Sequence, residues 1–267
     1  VIFMASKTLE AWLDSLQAQG RYTFTSAEAI AKSGLTAESV RKALRRLTQH
    51  ARILRLKEYF FSIVPPEYRT AGAPPPTWFI RELMAAMRQP YYVALLSAAA
   101  LHGVSHQQPQ IFQVMTDRPT RGIRAGRTQV HFYTTKYMSA AATLEMKTPT
   151  GAVRISTPET TAVDLVRFAK SAGQLDHVAA VIKELAPQID ARRLLSAVRS
   201  VDDVPNTQRL GYVLECVRSK PLAAPLHDWL ARRIERWQPL RPGRAVVDAA
   251  KNRRWQLLID EPLEFAA

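Results

Sequence analysis

Apolar positions change period several times within the first seventy residues. Leu9, Trp12, Leu13 and Leu16 recur at helical steps and predict a helix from about Lys7 to Gln19, stopped by Gly20. Tyr22–Phe24 is short and β-prone. Thr25 with Glu28 three positions on predicts a capping box for a helix through Ala31. Ser33-Gly34-Leu35 reads as a tight turn, with glycine where a positive φ is needed. Thr36 then caps TAESVRKALRRLTQ, residues 36–49, in which Val40, Ala43, Leu44 and Leu47 share one face. Glu38, Arg41, Lys42, Arg45 and Gln49 fall on the opposite face, with Arg46 at the flank. Arg52–Leu56 and Tyr59–Val64 are β-like runs joined at Lys57-Glu58, a hairpin. Helix, short strand, helix, turn, helix, hairpin is the winged helix-turn-helix order.

A recognition helix needs an apolar back that anchors it and long donors in front that reach base edges and phosphates. Residues 36–49 supply both. The candidate DNA contacts are Ser39, Arg41, Lys42, Arg45, Arg46 and Gln49, with Lys57 at the hairpin tip as the contact to the phosphate backbone.

Residues 65–77, PPEYRTAGAPPPT, contain five prolines and predict an extended, semi-rigid linker between a domain of residues 1–64 and one of residues 78–267. After it, Thr77–Arg88 reads as a helix broken by Pro90, and Tyr91–His102 as a second, apolar helix ended by Gly103. Residues 110–116 and 127–134 alternate like strands. Leu144–Thr148 and Ala152–Thr157 flank a hairpin turn predicted at Pro149-Thr150-Gly151, and Thr157-Pro158-Glu159 opens a helix. Four or five helices follow to about Trp237, then a last strand at Arg254–Ile259. The fold class expected is α+β: an N-terminal winged helix-turn-helix, then a domain with a small, largely antiparallel sheet and a helical layer.

Charge sharpens this picture. The chain of 267 residues carries a formal charge of +14, which favours a polyanionic partner. Its single cysteine, Cys216, has no partner for an internal disulfide and fits a reducing cytoplasm. The start turns polar after four residues, unlike a signal peptide, and Met4 is a candidate initiator with Val1 to Phe3 a remnant upstream of it. The longest apolar run, Tyr91 to Leu101, is about half of a membrane span, so a cytoplasmic protein without membrane contact is expected.

The run YYVALLSAAALHGVSHQQPQIFQVMT at 91–116 resembles the core of the AbiEi antitoxin family. ISTPETTAVDLVRF at 155–168, NTQRLGYVLE at 206–215 and RRWQLLID at 253–260 are similar to further family stretches in order and spacing. The resemblance implies the antitoxin and regulator half of an AbiE-type, type IV toxin–antitoxin system. Such a protein represses its own operon by binding repeated sites on double-stranded operator DNA. Its C-terminal domain counters a cognate nucleotidyltransferase-like toxin, directly or indirectly. A monomer binding cooperatively at repeated sites is the expectation that goes with it.

Catalytic chemistry has little support. His102 and His106 stand four apart, but Gly103 separates them and no third ligand is near in sequence. Ser97 with His102 lacks the strand–turn–helix elbow of a nucleophile. Asp202-Asp203 reads as a helix start. Neither a Walker A loop nor a G-x-G-x-x-G is present, and the Gly-Ser turn with an Asp-x-Asp-like pair that the toxin type would need is missing. No catalytic residue, metal or cofactor is therefore expected. A second basic stretch, with Arg232, Arg233, Arg236, Arg253 and Arg254 among Trp229, Trp237 and Trp255, is a candidate contact to a partner protein or the DNA backbone, or else flanks a tryptophan core. Two other readings remain open on sequence: a ligand-sensing winged-helix transcription factor, and an enzyme with a DNA-binding appendage.

Overall fold

The structure is a computed structural model that describes residues 2–104, 110–244 and 247–265, with the backbone alone for residues 2–8. The chain divides into two compact units, one of residues 1–92, 110–134 and 145–154, the other of residues 93–109, 135–144 and 155–267.

The first unit opens with α1 (Ile2–Ala18), β1 (Thr23–Thr25), α2 (Ser26–Ser33), α3 (Ala37–Gln49), β2 (Ile53–Lys57) and β3 (Phe60–Ile63). Helix α1 begins earlier than its apolar periodicity suggests, because the backbone continues in helix ahead of Lys7. Leu9, Leu13 and Leu16 of α1 and Val40, Ala43, Leu44 and Leu47 of α3 form one buried cluster with Phe24, Ile53, Phe61 and Ile63. The Phe24 and Phe61 rings stack at 5.4 Å, and Trp12 meets Phe24 edge-on at the same distance. The three strands form an antiparallel sheet in the order β1-β3-β2.

Local signals fix the ends of these elements. The Thr25 hydroxyl accepts from the Glu28 amide at 3.2 Å, and the Glu28 carboxylate accepts from the Thr25 amide at 2.7 Å. Arg21 pairs with the same carboxylate. Gly34 ends α2 at φ 65°, the left-handed region the turn requires.

Residues 65–77 are not a bare extended connection. Short 3₁₀ turns form at Pro66–Tyr68 and Pro76–Trp78, and Trp78 packs against Tyr68 and Tyr22 at ring distances of 5.2 and 4.9 Å. The aromatic residues between and beside the prolines give the segment something to bury. Helix α4 is then only Ile80–Ala86, because the second 3₁₀ turn occupies the expected first turn.

Tyr91–His102 is not one helix. Tyr91–Val93 is strand β4, which its pairing with the later segment around Ile155 holds in extended form. The six-stranded sheet runs in the order β6-β7-β5-β4-β9-β8, with β5 at Ile111–Thr116, β6 at Ile123–Ala125, β7 at Thr128–Thr134, β8 at Thr143–Thr148 and β9 at Gly151–Ser156. This sheet is mixed rather than largely antiparallel: β5 pairs parallel with β7, and Val93 of β4 pairs parallel with Ile155 of β9. The cause is β6, a short strand between β5 and β7 that pairs antiparallel with β7 and so returns the chain in the direction of β5.

In the second unit, helix α5 (Leu95–Leu101) starts from Leu95 in the left-handed region at φ 54° and ends at His102. Ser97 is buried within it. Thr157 caps α6 (Pro158–Arg167), with its hydroxyl accepting from the Thr160 amide and Pro158 in the first turn. His102 Nε2 lies 2.8 Å from the Ser156 carbonyl, and the Ser156 and Thr161 hydroxyls are 2.7 Å apart. The His102 bond joins two of the quoted stretches, 91–116 and 155–168. Helices α7 (Gln174–Leu185), α8 (Ala191–Val201), α9 (Val204–Cys216) and α10 (Lys220–Leu230) complete the helical layer. Asp203 caps α9, as a helix-start aspartate should.

The C-terminal strand is shorter than Arg254–Ile259. A three-stranded sheet combines β10 (Gln238–Pro239), β11 (Ala250–Asn252) and β12 (Leu257–Ile259) in the order β10-β12-β11. Residues 253–256 turn instead, because Trp255 leaves the strand direction to bury itself completely against α9. A Cβ on Gly211 would fall 2.1 Å from the Trp255 ring, so only glycine leaves room there. The Trp255 indole N–H donates to Glu215 at 2.8 Å, Arg254 pairs with Glu215 at 2.7 Å, and the Gln208 amide donates to the Trp255 carbonyl at 2.8 Å. The two family-like stretches 206–215 and 253–260 are thus two sides of one packing contact.

Thr25→Ala is expected to lower unfolding free energy by about 1 kcal/mol, measured by urea denaturation, through loss of the cap. Gly211→Ala is expected to cost about 1–3 kcal/mol by overpacking and Trp255→Ala about 3–5 kcal/mol by leaving a cavity. The double variant should cost less than the sum, because the added methyl occupies space the indole vacates. Additive losses would show that the two residues do not share that contact.

Candidate functional site

Within the first unit, α3 and the β2–β3 hairpin bound a groove of about 690 Å³. Arg41, Arg45 and Gln49 of α3 line it together with Arg55 and Tyr59 of the hairpin, over a floor that includes Leu44 and Phe61. The buried face of α3 sets this presentation, since anchoring Val40, Ala43, Leu44 and Leu47 turns the alternate positions outward.

The cations of α3 differ in availability. Arg45 and Gln49 are exposed and held by no ion pair. Arg41 makes only a 3.4 Å bond from Nε to the Ala37 carbonyl. Lys42 is also exposed but pairs with Glu38 at 2.8 Å, one turn back, outside the groove lining. Arg46 lies 3.9 Å from Glu10 of α1 and is half-buried. Ser39 belongs to the helix start: its amide donates to the Thr36 hydroxyl, and the Thr36 hydroxyl donates to the Ser39 hydroxyl at 3.0 Å.

Lys57 stands apart from the others. Its ammonium donates to the Arg121 carbonyl at 3.3 Å, and burial, helped by the Arg121 charge, holds its pKa below the ordinary lysine value. The hairpin tip beside the groove therefore presents Glu58 and Tyr59, the latter 53% exposed. Arg55 and Tyr59 were missed by reasoning from α3 alone. Strict alternation from buried Ile53 would place Arg55 on the buried face, and the irregularity of β2 between Arg55 and Lys57 exposes it while Leu56 is buried.

The second basic stretch is structurally mixed. Trp255 is core, Trp229 is half-buried and Trp237 is 37% exposed. Arg233 pairs with Asp202 at 2.9 Å and lies 4.3 Å from the Trp229 ring, while Arg254 is held by Glu215. Arg232, Arg236 and Arg253 are exposed on their own. His102 bonds within its unit, and His106 lies outside the described residues. Among the described residues no cluster of three or more His, Cys, Asp or Glu side chains is arranged to hold a metal ion. No helix among them is long and apolar enough to cross a membrane.

Comparison with known proteins adds two findings. A search of curated proteins finds no match. The chain is similar in fold to the crystal structure of the RV2827C protein from Mycobacterium tuberculosis, with a TM-score of 0.68 at 15% identity, over 95% of this chain and 92% of that one. Residues 92–216 match the model of the AbiEi antitoxin C-terminal domain. That stretch contains the His102–Ser156 contact, the Thr157 cap and Gly211, and over it the chain is similar to the C-terminal domain of the AbiEi antitoxins.

Proposed function

We propose that this chain is an antitoxin and also the repressor of its own operon. A winged helix of residues 1–64 holds operator DNA, a proline-rich linker of residues 65–77 follows, and a C-terminal domain of residues 78–267 counters a nucleotidyltransferase-like toxin. The chain acts by binding in the cytoplasm and not as an enzyme. The observation that carries the DNA reading is the convergence of Arg41, Arg45, Gln49, Arg55 and Tyr59 on one groove. Three guanidiniums, one amide and one phenol supply donors for base edges and phosphates, and the apolar back of α3 fixes their register. Arg45 and Gln49 enter the major groove, Arg55 contacts the adjoining backbone, and Tyr59 takes the tip position that Lys57 vacates. Lys42 and Arg46 add long-range attraction, in keeping with a charge of +14.

Fluorescence anisotropy with duplex from just upstream of the gene tests this reading. Arg41→Ala/Arg45→Ala and Arg55→Ala should each weaken specific binding at least tenfold with unchanged melting temperature. Lys42→Ala should act mainly through the salt dependence, lowering its slope by about one phosphate contact. Specific binding retained by the Arg41/Arg45 double variant would remove α3 from the interface. Co-expression with the neighbouring nucleotidyltransferase gene tests the toxin arm, growth rescue being the expected result.

A further inference from the structure

We propose that the second unit binds a nucleotide, holding its phosphate in a basic cleft next to α7 and α9. This goes beyond the DNA and toxin readings and involves none of the groove residues on α3.

The cleft has a volume of about 590 Å³, within the range of roughly 300–1,000 Å³ common for small-molecule sites. Its wall carries Arg167, Lys170, Arg209, Arg241 and Arg244 and no carboxylate. Acidic residues behind the wall answer three of these cations. Arg167 pairs with Asp164 at 2.9 Å, Arg241 with Asp176 at 2.8 Å and Asp260 at 3.1 Å, and Arg244 with Glu261 at 2.8 Å.

Two charges remain without a counter-ion in contact. Lys170 is exposed and makes no ion pair among the described residues. Arg209 is only 6% exposed, yet its partners are neutral: the Pro239 carbonyl at 3.0 and 3.1 Å, the Leu240 carbonyl at 3.2 Å and the Asn206 side-chain oxygen at 2.9 Å. Burial lowers the Arg209 pKa, and the Asp203 charge opposes that only from beyond contact distance. A guanidinium taken out of water with carbonyls alone is a charge the fold leaves uncompensated. The Nε of Arg241, in the same wall, is buried with no acceptor. Arg209 gains from an anion in the cleft the counter-charge that its neutral partners do not supply.

The remaining wall suits the rest of such a ligand. Helix α7 starts at Gln174, which lines the cleft, and its cap residue Gly173 has no side chain to occupy the first amides. Those amides and the helix dipole favour a phosphate. Half-buried Phe168 provides an apolar ring face beside the cations, over buried Leu175 and Leu240, as a planar base requires. A phosphate joined to a flat, largely apolar group is the chemical outline of a nucleotide.

Isothermal titration of the full chain with adenosine monophosphate, adenosine triphosphate, inorganic phosphate and adenosine tests the site. Saturable binding of either nucleotide, weaker binding of phosphate and none of adenosine are expected. Lys170→Glu, at an exposed residue without a partner, should keep the wild-type melting temperature and weaken nucleotide binding about tenfold or more. Arg209→Gln should abolish binding, its fold checked by circular dichroism, and Arg41→Ala/Arg45→Ala should leave nucleotide affinity unchanged. Absence of saturable nucleotide binding, or equal affinity in Lys170→Glu, overturns the proposal. So does a Lys170→Glu variant that loses duplex DNA binding as strongly as nucleotide binding, which would assign the cleft to nucleic acid.

Discussion

The Trp255 ring lying on Gly211 is the constraint around which the second unit is organised. It brings a segment forty residues further along the chain onto α9, and the hydrogen bonds of the neighbourhood follow from that placement. Gln208 and Glu215 of α9 bond to Trp255 from either side of the glycine. With Trp255 seated, β12 runs beside β10, and the carbonyls of Pro239 and Leu240 come within reach of Arg209. A single missing methyl group thus sets both a core contact and the surroundings of a buried cation.

The α3 groove follows a different logic, in which position matters less than prior commitment. Charge counting along α3 treats its cations as equivalent, whereas their partners rank them. Lys42 and Arg46 already face carboxylates, and Ser39 serves the helix start. Exposed ion pairs are worth little, about 0–1 kcal/mol, so Lys42 is diverted without being locked. Arg41, Arg45 and Arg55 keep their guanidiniums available beside an exposed phenol.

Much of this architecture could be read from local chemistry. Thr25 with Glu28, Thr36, Thr157-Pro158 and Asp203 act within a few residues of themselves, and each caps the helix the sequence places there. Errors arose where distant partners decide. Tyr91–Val93 has the composition of a buried helix or a buried strand alike, and pairing with β9 makes it a strand. The parallel β5–β7 pair depends on a three-residue strand too short to announce itself. The engagement of Lys57 by the Arg121 carbonyl spans 64 residues, and nothing near Lys57 in sequence signals it. Nothing in the stretch NTQRLGYVLE marks Arg209 as buried, because desolvation is a property of the packed unit and not of the local sequence.

The seating of Trp255 has a consequence for how this chain is made. Helix α9 leaves the ribosome well before the residue that covers its glycine face. Until the segment around Trp255 emerges, a nascent chain leaves Gly211 uncovered on α9, a surface that chaperones and sister chains recognise as unfinished. The contact between Trp255 and Gly211 therefore forms after the helices of the second unit have been made.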